Sequence, residues 1–154
     1  MNLIACKIET ENFKGEEDVF LPNKAYKQTS AAYDLRADIK YPTEIKPLER
    51  ALIPTAVRLN IPDGVVGMIC PRSGMAINDG ITVLNAPGII DPGYVDIIRV
   101  ILINLSDSVY TVNPKEKIAQ LLFTSIADTN INTNRKFDYN STRGYSGFGS
   151  SGKY

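Results

Sequence analysis

Five short stretches hold the residue types that could handle a charged, hydrated substrate. "AAYDLRAD" sets Asp34 between small residues and a leucine. "PRSGMA" sets Arg72 and Ser73 directly before Gly74, at a possible helix start. Free backbone N–H groups and a guanidinium fork both favour an anion there. "NAPGIIDPGY" runs from Asn85 through Gly88 and Ile90 to Asp91 and Tyr94, and its glycine and proline punctuation suggests a β-hairpin. "EKIAQLLF" places Gln120 in an otherwise apolar run. "RGYSGFGSSG" offers Arg143, Phe148 and the amides of Gly149, Ser150, Ser151 and Gly152. The chain has no histidine, so a general base must be a carboxylate, Lys, Cys or Tyr.

Each stretch also has a plain structural reading. Asp34 suits a turn cap, Ser73 a helix N-cap, Asp91 a turn before Pro92 and Gln120 a strand edge. The glycine-serine tail suits a linker. Gly147, Gly149 and Gly152 spell G-x-G-x-x-G, but a dinucleotide site needs a strand before that pattern and a helix after it. Here only two residues follow the last glycine.

The elements that must position these residues are short. "TAVRLNI" alternates, with Thr55, Val57, Leu59 and Ile61 on one face. "PDG" at Pro62 to Gly64 is a turn, and "VVGMIC" reads as a buried strand. "YVDIIRVILIN" reads as one long β-branched strand, and "NPKEK" turns the chain into "IAQLLFTSI". The best helix candidate is "SGMAIND", closed by Gly80. Evenly spaced short strands predict an all-β barrel or sandwich.

A chain of 154 residues suits one domain with a real core. Lys plus Arg equals Asp plus Glu, 17 each, so no basic excess argues for nucleic acid. Cys6 and Cys70 are too few for a disulfide framework and read as buried thiols in a reducing, cytoplasmic compartment. The N-terminus is too short and charged for a signal peptide, and no apolar run is long enough for a membrane span. The expected organisation is a β core over residues 1–127, an extended polar arm over 128–140 and a mobile tail over 141–154.

Together and in this order, the five stretches resemble the motifs of the homotrimeric dUTPase family, from Ala31 to Gly152. The resemblance implies a jelly-roll-like β fold and a homotrimer with three sites, each built by three chains. The arm would cross to another subunit and the tail would act as a lid. It implies Mg²⁺-dependent hydrolysis of dUTP to dUMP and pyrophosphate. Asp91 matches the aspartate that activates water, and Asp34 the carboxylate that holds hydrated Mg²⁺. Arg72, Ser73, Gly74 and Gln120 match phosphate contacts. Asn85 and the backbone after it, through Gly88 and Ile90, match the uracil-reading segment, and Tyr94 the ring that packs on deoxyribose. Arg143 and Ser150 to Gly152 match γ-phosphate contacts, Gly149 a substrate contact, and Phe148 the ring that stacks on uracil.

The chain departs from the family pattern at Val95-Asp96, at Ser146 and at Lys117, where arginine is frequent. The related dCTP deaminases carry a glutamate in the strand after "IDPG". The matching position here is Ile101, which cannot move protons.

Overall fold

The computed structural model describes residues 4–26 and 29–136. Those residues form eleven strands, one α-helix and one short 3₁₀ turn at Glu17–Phe20. The strands are β1 (Ala5–Ile8), β2 (Tyr33–Arg36), β3 (Thr43–Ile45), β4 (Arg50–Pro54), β5 (Val57–Asn60), β6 (Val65–Cys70), β7 (Ile81–Val83), β8 (Gly88–Ile90), β9 (Arg99–Asn104), β10 (Tyr110–Val112) and β11 (Lys117–Ser125). The helix α1 spans Ser73–Asp79. A four-stranded sheet runs β2-β11-β6-β8, and a three-stranded sheet β4-β9-β7. The pairs β1-β5 and β3-β10 complete the set, and every ladder is antiparallel. This is the expected jelly-roll-like β fold.

Alternation decides which side chains meet between the sheets. On β9, Val100, Leu102 and Asn104 are buried, while Arg99, Ile101 and Ile103 face away. On the opposite sheet Leu35, Ile69 and Leu121 face the same interior and are almost fully buried. Thr55, Val57, Leu59 and Ile61 are buried as their spacing predicts. The "PDG" turn is present, with Gly64 at φ +78°.

The helix matches "SGMAIND" residue for residue, and Gly80 ends it in the left-handed region at φ +68°. A Cβ on Gly80 would lie 2.9 Å from both the Cβ and the backbone N of Ser106, so no larger residue fits without backbone movement.

Three expectations need correction. "YVDIIRVILIN" is not one strand, because β9 begins only at Arg99. Asp96 accepts the Ile97 N–H at 2.7 Å and guanidinium bonds from Arg58 and Arg99, each at 3.0 Å. Such local side-chain bonding draws the backbone away from a ladder. "NAPGIIDPGY" does not form a hairpin: β8 pairs with β6 and β7 with β9, so the turn between them joins two sheets. The cysteines are not core thiols. Cys6 is exposed on β1, which among the described residues pairs only with β5, and Cys70 is half-buried at the end of β6.

Candidate active site

The expected site residues fall into two groups. The first surrounds a cleft of about 220 Å³ walled by residues of both main sheets, lined by Asn85, Gly88, Ile90, Asp91 and Tyr94, with Arg99 also at its wall. β8 supplies its floor. That strand bonds β6 on one side and lies at the end of its sheet, so among the described residues its other backbone edge is not taken by a strand. Gly88 keeps the floor low: a Cβ there would come 3.2 Å from the Asn85 amide nitrogen and 3.4 Å from Ile69 Cβ.

Beyond β8 the chain turns at Pro92-Gly93, with Gly93 at φ +82°. The Tyr94 N–H closes the turn on Asp91 O at 3.2 Å. Asp91 and Tyr94 are both exposed, and the Tyr94 hydroxyl donates to Ile97 O at 3.1 Å. Asp91 is the one carboxylate among the described residues that line the cleft.

The second group spans the outer face of the four-stranded sheet. In the register, Asp34 on β2 faces Gln120 on β11, which faces Cys70 on β6. Opposed residues share a face, whereas Ile69 and its partner Gly88 point the other way. A single chain therefore holds the Asp34–Gln120 row on the sheet face opposite Ile69, which lines the cleft. Gln120 Nε2 donates to Pro71 O at 2.9 Å and so fixes the turn into α1. Arg72 donates to Lys117 O at 2.8 Å and lies 3.5 Å from Asp34. Ser73 and Gly74 are exposed in the first turn of α1. Ser73 is not the N-cap: Arg72 holds that position in extended conformation, and no side chain caps the helix.

A register shift in β11 completes this group. Lys117 opposes Arg36 and Ala119 opposes Leu35, so Ile118 is an extra residue. Both Ile118 and Ala119 are buried. Strict alternation would put Lys117 on the face opposite Gln120. The bulge turns it back, and its ammonium meets Asp34 at 2.6 Å. Sequence reasoning noted Lys117 only as a departure and missed Arg99 as a cleft residue. A bulge has no signal in an apolar run, although Arg99 is the one cation in its own.

Among the described residues no three His, Cys, Asp or Glu side chains gather as a metal cage. Asp34 lies beside two cations, Arg72 and Lys117, with 13% of its side chain exposed. Arg143, Phe148, Gly149, Ser150, Ser151 and Gly152 lie outside the described residues.

Residues 18–152 match the family model described as dUTPase. The chain belongs to the dUTPase family, the enzymes that hydrolyse dUTP. Among curated relatives it is 43% identical to the deoxyuridine 5'-triphosphate nucleotidohydrolase of Fusobacterium nucleatum, over 90% of this chain and 93% of that one. It is 40% identical to the enzyme of that name from Wolbachia pipientis wMel, over 96% of each. Among solved structures, the Staphylococcus bacteriophage 80alpha dUTPase with dUPNHPP superposes with a TM-score of 0.84 at 26% identity, over 99% of each chain.

Proposed function

We propose that this chain hydrolyses dUTP to dUMP and pyrophosphate at the α-phosphate, with Asp91 as the base that activates water. The carrying observation is the cleft that joins a free strand edge, one carboxylate and one aromatic ring. Uracil presents acceptor, donor and acceptor along one edge, and the β8 backbone from Gly88 to Ile90 can complement it. Cytosine reverses part of that pattern and would leave buried groups unpaired, which costs orders of magnitude in selectivity. Asn85 sits beside this edge, and Tyr94 packs on the deoxyribose, where a 2′-hydroxyl would clash.

Asp91 takes a proton from water as the oxygen attacks phosphorus, and pyrophosphate leaves. A positioned carboxylate base supplies about 10²–10⁴ in rate, and charge stabilisation supplies much of the rest. Arg72, Ser73, Gly74 and Gln120 hold phosphate oxygens. Arg143 and Ser150 to Gly152 hold the γ-phosphate, and Phe148 stacks on the base as residues 141–154 close over it.

The donor set fits Mg²⁺, which keeps most of its waters and uses phosphate oxygens with one or two carboxylates. Asp34 would hold it through water. When bound, Mg²⁺ neutralises phosphate charge and fixes the phosphates relative to one another.

The placement of the Asp34–Gln120 row on the face opposite Ile69 supports a site shared between chains. We therefore propose a homotrimer, with residues 128–140 as a crossing arm, and light scattering should give three times 17.0 kDa. A stable, active monomer would refute the shared site. The reaction would keep uracil out of DNA and supply dUMP for dTMP synthesis inside the cytoplasm or, for a viral source, the host cell.

The test is pyrophosphate release with dUTP, dCTP, dTTP and UTP. Turnover of dUTP at least about 10²-fold above the others supports the reading. Equal rates, or release of ammonia from dCTP, would overturn it.

A further inference from the structure

Asp34 is already neutralised. Lys117 Nζ lies 2.6 Å from its Oδ2, and Arg72 Nε lies 3.5 Å from its Oδ1. The carboxylate is mostly covered, while each cation keeps about a third of its side chain exposed. Arg72 is further tied by its bond to Lys117 O, but the Lys117 ammonium has no second partner among the described hydrogen bonds and salt bridges. A flexible four-carbon stem lets the ammonium move at little cost, which a guanidinium fork held at two points cannot do.

We propose that Lys117 is an exchangeable counter-ion. It holds Asp34 until the hydrated divalent cation takes its place, and it then moves to the triphosphate. This rests on the reading of Asp34 as the metal-linked carboxylate, and it adds a residue and a switching role that the reading does not contain. Two like charges cannot share one carboxylate oxygen without repulsion, so Lys117 and the cation must compete for Asp34. A triphosphate arriving with its metal offers the displaced ammonium new acceptors nearby. Cation and nucleotide binding are thereby coupled through one side chain. The bulge at Ile118 is what places Lys117 on this face.

The test uses the full chain as Lys117→Met, Lys117→Arg and Asp34→Asn. Mn²⁺ binding without nucleotide is read by electron paramagnetic resonance. Binding of the non-hydrolysable analogue dUpNHpp, with and without Mg²⁺, is read by calorimetry beside dUMP.

Lys117→Met should bind Mn²⁺ alone about three- to fivefold more tightly, the scale of a partly exposed ion pair. The same variant should bind dUpNHpp roughly tenfold or more weakly, the scale of a charge-assisted contact, with dUMP affected least. Lys117→Arg should restore analogue affinity. Opposite signs for metal and nucleotide are the signature, since a purely structural Lys117 would weaken both.

Unchanged or weakened Mn²⁺ binding in Lys117→Met overturns the proposal while leaving the role of Asp34 standing, provided that Asp34→Asn abolishes the metal's effect on analogue binding. If Asp34→Asn preserves that effect, both fall together.

Discussion

Asn104 offers a perturbation that separates stability from catalysis. It ends β9 fully buried, at 0% exposure. Its Nδ2 donates to Ile45 O at 2.8 Å and to Ser108 O at 2.7 Å. Its Oδ1 accepts from the Ser106 N–H at 2.9 Å and from the Ser106 hydroxyl at 2.7 Å. One amide thus pins β3, β9 and the loop before β10.

Asn104→Ala removes four bonds, among them the one to the carbonyl of buried Ile45. At about 1 kcal/mol net per neutral bond, the loss is about 3–5 kcal/mol. For a chain of this size that lowers the apparent Tm by about 10 °C. Ser106→Ala keeps the backbone bond to Asn104 and should cost only about 1 kcal/mol.

The cleft wall takes in Arg99, Val100 and Ile101 of the same strand. Asn104 lies three strand steps beyond Ile101, about 10 Å away. The folded variant should therefore keep kcat/KM for dUTP within about twofold at 25 °C, because distant, independent sites rarely couple strongly. Urea and thermal unfolding measure the first effect, and steady-state kinetics the second. A loss below about 1 kcal/mol would refute the bond accounting. A large fall in kcat/KM would refute the separation of the two ends.

Asp91→Asn should keep the fold and analogue binding but cut turnover at least about 10²-fold, and turnover near wild type would remove Asp91 from the base role. Gly88→Ala should leave unfolding nearly unchanged, since Gly88 is not at positive φ, while the Asn85 amide 3.2 Å from the new methyl is pushed aside. A rise of roughly tenfold in KM with kcat little changed is expected, on the scale of one disturbed polar contact, and an unaltered KM would refute the base-reading role of this edge. The Ile97 N–H, and then Arg99, hold the Asp96 carboxyl below its ordinary range. Its hold on the loop after Tyr94 is therefore complete above the unfolded value and lost as pH falls through the lower folded one. The Ile97 amide resonance should titrate only below about pH 4 and be flat in Asp96→Asn. A midpoint at or above that value would contradict the tie. Truncation after Tyr139 should leave a folded protein with about 10²-fold or more lower catalytic efficiency, from the lost stack and phosphate contacts, and full activity would reduce the tail to a linker.

Much of this protein was legible in local chemistry. The helix at Ser73–Asp79 follows from its short run and the glycine that closes it, and the face of "TAVRLNI" from two-residue alternation. The motifs around Asp34, Arg72, Asp91 and Gln120 carry the resemblance to the family whose model matches residues 18–152. What the sequence could not determine depends on partners distant in the chain. "NAPGIIDPGY" has the punctuation of a hairpin, yet its flanks pair with β6 and β9, because ladder partners are chosen by the whole core. "YVDIIRVILIN" has the composition of a strand, yet Asp96 finds Arg58 from β5 and leaves the ladder. Lys117 meets Asp34 only because one extra residue slips into β11 where it crosses β2, and pairing register is a property of two strands that neither possesses alone.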